Sequence, residues 1–245
     1  MILFYIIIFT VLGSVGAIIL SALLISFGQK RLDKLAHYLI SFAAGALLAN
    51  VFLDLLPHSL ERVQSEIILP IVLSGILFFI LLEKIIIWHH CHNKDCAQNN
   101  HNTSGTMILI GDGFHNFVDG VIVAGSFLVS APLGISVGFS VIIHEIAQEI
   151  GDLGILLHSG YEKKRAIFLN ILSGIVSLPA GILTYFILRP LENTLPFVMA
   201  FASASFIYIA LTDLIPELHK KAQPSHFYRH FLLILLGVGI IYLLD

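Results

Sequence analysis

The sequence predicts an all-α polytopic membrane protein, and three observations carry that expectation. Apolar residues make up 57% of the 245 residues and charged residues only 12%, about half the charged share of an ordinary soluble domain. The apolar residues run in stretches of roughly 20, each long enough as a helix to cross a hydrocarbon core of about 30 Å. Polar residues gather at the ends of these stretches or, in the middle of the chain, recur inside them at helical spacing. Mean hydropathy is accordingly high, at +0.93.

Eight spans are expected, at about 3–27, 35–58, 66–88, 107–130, 132–158, 165–189, 193–218 and 227–244. Basic residues orient them. With the N-terminus outside, Lys30, Arg31, Lys34, Lys84, Lys94, Lys163, Lys164, Arg165, Lys220, Lys221 and Arg229 fall on the inner side, and only Arg62 and Arg189 fall outside. The positive-inside rule then puts both termini on the extracytoplasmic side, and the plasma (cell inner) membrane is the expected location. The chain reads as one transmembrane domain over 1–245. Met1 to Phe9 has no basic n-region, so no cleavable signal peptide is expected. A formal net charge of -3 without a basic tract excludes a nucleic-acid partner, and two cysteines are too few for a disulfide framework.

Spans 2 and 7 contain an internal repeat. Ser41-Phe42-Ala43-Ala44-Gly45 leads to Asp54-Leu55-Leu56-Pro57-His58, and Ala200-Phe201-Ala202-Ser203-Ala204 leads at the same spacing to Asp213-Leu214-Ile215-Pro216-Glu217. The two spans run in opposite directions, which marks an inverted repeat: spans 1–3 and 6–8 flank spans 4–5 in a 3+2+3 arrangement. The i,i+4 pairs Asp54/His58 and Asp213/Glu217 then stand near opposite ends of the repeat, as an outer mouth and an inner exit for cations. One long loop, 89–106, is expected on the cytoplasmic side. It carries His89, His90, Cys91, His92, Cys96 and His101, a tract suited to loose metal contact but lacking the spacing of a closed zinc site.

Spans 4 and 5 hold the chemistry. Span 4 reads Gly111-Asp112-Gly113-Phe114-His115-Asn116-Phe117-Val118-Asp119-Gly120, and span 5 reads His144-Glu145-Ile146-Ala147-Gln148-Glu149-Ile150-Gly151-Asp152. One helical turn separates His115 from Asp119, and another separates His144 from Gln148. Asn116 and Glu145 stand beside them and Glu149 a turn beyond Glu145. His115 lies about 12 Å from the inner end of span 4, and His144 comes to a similar depth in span 5. Gly134/Gly138 and Gly120/Ala124 offer small faces for close approach of the two helices. Each ionisable group at mid-bilayer costs at least about 2.5–3.5 kcal/mol. Asp112, Asp119, Glu145, Glu149 and Asp152 have no Lys or Arg in these spans to balance them. A divalent cation supplies the missing charge, and imidazole, carboxylate and amide oxygen form a ligand set for a borderline metal. The candidate ligands are His115, Asn116, Asp119, His144, Glu145, Gln148 and Glu149, with Asp112 and Asp152 orienting ligands or hydrating the path.

The paired motifs His115-Asn116-Phe117-Val118-Asp119-Gly120 and His144-Glu145-Ile146-Ala147-Gln148-Glu149-Ile150-Gly151-Asp152 resemble those of the ZIP (Zrt/Irt-like) metal transporters. With the eight-span plan and the His-rich loop, the resemblance covers nearly the whole chain. It implies import of Zn²⁺, or of Fe²⁺ or Mn²⁺, as transported substrate, with no organic cofactor. Membrane lipid and a homodimer are the implied partners. It further implies one site from His115, Asp119, His144 and Gln148, and a neighbour from Asn116, Asp119, Glu145 and Gln148. Three features depart from the family pattern. Ala147 stands where Pro is usual and Gln148 where His is usual, and Ser177-Leu178 precede Pro179 where some members have Glu. An amide in place of an imidazole suits harder cations. Two other readings compete: an intramembrane metal-dependent hydrolase, and a non-transporting metal sensor. A metalloprotease helix needs His-Glu-x-x-His, and Gln148 breaks that pattern. The chain is therefore not expected to be an enzyme.

Overall fold

A computed structural model describes the backbone of residues 1–25, 29–90, 100–220 and 227–244, with side chains for 1–25, 35–85, 108–218 and 228–244. Every regular element among the described residues is helical. Among the described residues, seven helical stretches are long and apolar enough to cross a membrane. They are span 1 (Ile2–Leu24), span 2 (Leu35–Arg62), span 3 (Ser65–Ile85), span 4 (Ile108–Val129), span 5 (Ala131–His158), span 6 (Lys163–Leu188) and span 7 (Glu192–Leu218). The eighth expected span is the helix Phe227–Leu244, whose described apolar part, Tyr228–Leu244, is shorter than the other seven. The fourth helix begins at Asn100, inside the segment read as a loop, while residues 91–99 and the side chains of His89, His90, Cys91, His92, Cys96 and His101 lie outside the described set.

Three breaks in the helices stand just ahead of a proline, whereas the π-helical turn of span 1, Leu12–Gly16, has none near it. In span 2 a π-helical turn, Asn50–Leu55, precedes Pro57, and in span 7 another, Ala210–Leu214, precedes Pro216. Proline has no N–H to meet the carbonyl four residues back, so the chain widens by one residue there. The two π-turns sit at the same offset in the two copies of the repeat. Span 6 departs from the single helix that its sequence predicts. It divides into Lys163–Gly174 and Ser177–Leu188, and Leu178 N–H bonds Ile175 O at 3.2 Å in a tighter turn ahead of Pro179. Span 5 starts where Ser130, in extended conformation, accepts a hydrogen bond from Leu133 N–H at 3.2 Å, with Pro132 in the first turn.

Packing partners exchange as an inverted repeat demands. Span 2 packs on the last helix and span 7 on span 3; span 5 packs on spans 1 and 2, and span 4 on spans 6 and 7. Swapping 1 with 6, 2 with 7, 3 with 8 and 4 with 5 maps each pair onto another. Span 5 forms the centre: 72% of its apolar window is buried, against 22% for span 3. Span 3 instead presents Leu69, Leu73, Leu77 and Leu81 outward, an exposed stripe one turn apart suited to lipid. Small residues allow the closest approaches, though not all between spans 4 and 5. Gly134 meets Phe127 of span 4, but Gly138 meets Phe9 of span 1, and a Cβ on Gly120 would strike the Ser177 carbonyl of span 6. Gly45 and Gly237 bring span 2 and the last helix together in the same way, each facing a backbone carbonyl of the other.

Candidate metal centre

Spans 4 and 5 bring four donor side chains to one point. His115 Nε2 lies 3.0 Å from His144 Nε2, 3.2 Å from Glu145 Oε1 and 3.8 Å from Asp119 Oδ2. His144 Nε2 lies 3.1 Å from Asp119 Oδ2 and 3.6 Å from Glu145 Oε1. One ligand atom from each of the four falls within 4.8 Å of the other three. Asp119, His144 and Glu145 are buried, while His115 keeps 16% of its side-chain surface open. The centre thus has a closed back and one accessible edge.

Orientation of His144 follows from its neighbour one turn back. Its Nδ1 lies 3.1 Å from the Ser140 carbonyl, which can only accept, so Nδ1 carries the proton and donates. In the neutral ring the Nε2 lone pair then faces Asp119 Oδ2, and two acceptors oppose each other at 3.1 Å. Neither oxygen of Asp119 or Glu145 has a hydrogen-bond partner of acceptable alignment. A cation among these four groups relieves the opposition and takes lone pairs that are already convergent. Two imidazoles and two carboxylates suit zinc and its borderline neighbours.

The remaining predicted residues divide into three groups. Asn116 is buried, and its amide donates to Asp112 Oδ1 at 2.8 Å; with Asp119, Glu145 and Ser177 it also lines a cavity of about 10 Å³, room for one water. Gln148, half-buried, lines a vestibule of about 710 Å³ together with His115, Asp112, Asp152, Asp213 and Glu217. Glu149 is fully buried and accepts from the Asn170 amide of span 6. Asp54 and His58 stand elsewhere. Asp54 is fully buried and accepts from Ser136 Oγ at 3.1 Å, and the ring Nδ1 of half-buried His58 donates to the Asp54 backbone carbonyl at 2.9 Å. Asp54 is therefore interior rather than at an open mouth.

Several polar residues about the site escape a reading by charge alone. Asn50 bonds Ser140 Oγ at 2.5 Å and accepts from Ser136 Oγ at 2.9 Å, tying span 2 to span 5. Ser173 Oγ donates to Asp112 Oδ2 at 2.5 Å, tying span 6 to span 4. Tyr208 donates its hydroxyl to Glu83 at the vestibule wall. A signal was present for part of this: Ser136, Ser140, His144, Gln148 and Asp152 recur every four residues, one continuous polar stripe along span 5.

A family profile described as "ZIP Zinc transporter" matches residues 1–103 and 88–245, which together take in the whole chain. "Zinc transporter ZIP13" of Pongo abelii is 33% identical over 221 residues, covering 84% of this chain and 65% of that protein. The Mus musculus protein of the same name is 31% identical over 252 residues, covering 84% and 69%. "Zinc transporter ZIP10" of Danio rerio is 32% identical over 145 residues, which is 56% of this chain and 17% of that protein. The chain spans about two thirds of the length of these ZIP13 relatives.

Proposed function

The chain belongs to the ZIP zinc transporter family, and from that premise we propose that it carries a divalent metal ion across a membrane into the cytoplasm. Zn²⁺ is the first substrate by ligand chemistry, with Fe²⁺ or Mn²⁺ as competitors. The observation that carries this reading is the convergence of His115, Asp119, His144 and Glu145 within 4.8 Å in spans without a compensating Lys or Arg. The curated relatives bear the names of zinc transporters, in keeping with a carrier rather than a hydrolase.

The ion reaches the centre by exchanging water for side chains. His144, held by Ser140, Asp119 and Glu145 receive it at the closed back; His115 completes the set on the side facing the vestibule. Gln148 offers a neutral oxygen at the vestibule wall, so ligation stays weak enough to reverse. Departure runs along the acidic wall of Asp112, Asp152, Asp213 and Glu217. That end holds Lys163, Lys164 and Lys220 nearby in sequence, which the positive-inside rule assigns to the cytoplasm, with both termini outside in the plasma membrane. A homodimer in membrane lipid is the assembly in keeping with the family resemblance.

Radiolabelled zinc uptake into liposomes holding the purified protein tests the reading. Parent protein is expected to accumulate zinc, with Fe²⁺ and Mn²⁺ competing, and Asp119→Ala and His144→Ala to fall to background while staying membrane-inserted. Gln148→His is expected to shift the competition toward zinc. Undiminished uptake in His144→Ala overturns the assignment of the centre, and a parent that moves no metal overturns transport itself.

A further inference from the structure

A cavity of about 400 Å³ opens where four span ends meet. Its walls include Ile2 of span 1, Leu128 of span 4, Tyr185 and Arg189 at the end of span 6, and Glu192 and Leu195 at the start of span 7. It shares no residue with the vestibule. Residues 189–194 form the corner between spans 6 and 7, and hydrogen bonds fix it. Leu191 N–H bonds the Leu188 carbonyl at 2.8 Å, and Thr194 bonds the Leu191 carbonyl through both its N–H, at 2.9 Å, and its hydroxyl, at 2.7 Å. The Arg189 guanidinium lies over the Tyr185 ring, 5.5 Å from the centroid. Such stacking holds the cation at the wall and leaves its in-plane N–H donors available. Arg189 and Glu192 line the same cavity, yet no ion pair joins them among the described residues. A donor fork and an acceptor therefore stand at two points of one space.

Span ends stand at the boundary between hydrocarbon and water, where aromatic and basic side chains anchor. Within two turns of Arg189, span 6 exposes Leu183, Phe186 and Ile187, and span 1, packed against it, exposes Phe4. The two charges thus have acyl chains on one side and water on the other. We propose that the cavity holds the headgroup of a zwitterionic phospholipid with a primary amine, phosphatidylethanolamine being the probe. Arg189 takes the phosphodiester, whose paired oxygens match the guanidinium fork, and Glu192 accepts from the ammonium. The acyl chains lie along the apolar surface of spans 1 and 6. A quaternary ammonium has no N–H for Glu192, and the aromatic face it would otherwise seek is covered by Arg189. An anionic headgroup without an amine leaves Glu192 facing a negative charge. Phosphatidylethanolamine is therefore preferred to phosphatidylcholine and to phosphatidylglycerol. A lipid so placed joins spans 1, 4, 6 and 7 at one face of the membrane.

Native mass spectrometry of the delipidated full chain in detergent, titrated with these three lipids on identical acyl chains, tests it. The parent is expected to hold one phosphatidylethanolamine more tightly than either of the others. Arg189→Gln is expected to weaken that binding by roughly tenfold or more. Glu192→Gln is expected to bring phosphatidylglycerol level with phosphatidylethanolamine. Arg62→Gln, which removes a basic residue at the end of span 2 and outside the cavity, is expected to change neither. All three positions are exposed, so thermal unfolding should stay at the parent's value. Equal binding of the three lipids by the parent, full phosphatidylethanolamine binding in Arg189→Gln, or an unshifted preference in Glu192→Gln overturns the proposal. An equal loss in Arg62→Gln overturns it too, since any outlying charge would then serve. Soluble glycerophosphoethanolamine at the same concentration is expected to leave the lipid in place. Displacement by it overturns the membrane as the source and assigns the cavity to a free phosphodiester.

Discussion

Asp54 and Asp213 occupy the same place in the two copies of the repeat, each inside a π-turn before a proline, yet their surroundings are opposite. Asp54 is fully buried beneath Ser136, beside Asn50 and Ser140. Asp213 is exposed and lines the vestibule that reaches His115. Local sequence cannot account for this, because Asp-Leu-Leu-Pro and Asp-Leu-Ile-Pro are nearly the same. What differs is the partner: Asp54 faces the serine stripe of span 5, while Asp213 faces a space bounded by spans 3, 4 and 5. One end is sealed by hydrogen bonds and the other open, which is the asymmetry an alternating-access carrier shows in one of its two states.

The comparison breaks most readily on accessibility. In a Cys91→Ser/Cys96→Ser background, Asp213→Cys is expected to react with a water-soluble thiol reagent much faster than Asp54→Cys. Opening the sealed end means breaking hydrogen bonds worth about 0.5–1.5 kcal/mol each, so two of them give a ratio of roughly tenfold or more. Equal rates would erase the distinction between the ends. Next in size, Asn50→Ala takes the amide donor from the buried Ser140 hydroxyl and leaves Ser136 with Asp54 alone. It should lower unfolding stability in detergent by about 1–3 kcal/mol and raise labelling of Asp54→Cys. Tyr208→Phe sharpens the contrast from the open side. Its hydroxyl bonds Glu83 at a partly exposed wall, where water substitutes for the loss, so melting should move by less than about 1 kcal/mol. Glu217→Gln, half-buried at the same vestibule, should change stability by at most about 0.5 kcal/mol. It should slow zinc release modestly, read as efflux from preloaded liposomes. A larger stability cost for Tyr208→Phe or Glu217→Gln than for Asn50→Ala would reverse the assignment of sealed and open ends.

The sequence by itself determined the all-helical membrane class, because apolar runs of bilayer length leave the backbone no other way to satisfy its hydrogen bonds in lipid. It also pointed to His115, Asp119, His144 and Glu145, because five acids stand without Lys or Arg on two adjacent spans, and the structure brings those four together. Helical period alone put each pair on one face. The tertiary structure decided matters that depend on which helices touch. Gly120 and Gly138 look alike as small-residue positions, but they serve spans 6 and 1, because a glycine does not specify which backbone fills the space it leaves. Asn170 and Ser173, which contact Glu149 and Asp112, and Asn50, which contacts Ser136 and Ser140, carry no charge, so their part emerged only when spans 6 and 2 were set against spans 4 and 5. The difference between Asp54 and Asp213 likewise belongs to packing: a repeated sequence encodes two equivalent ends, and the conformation the helices adopt makes one of them closed.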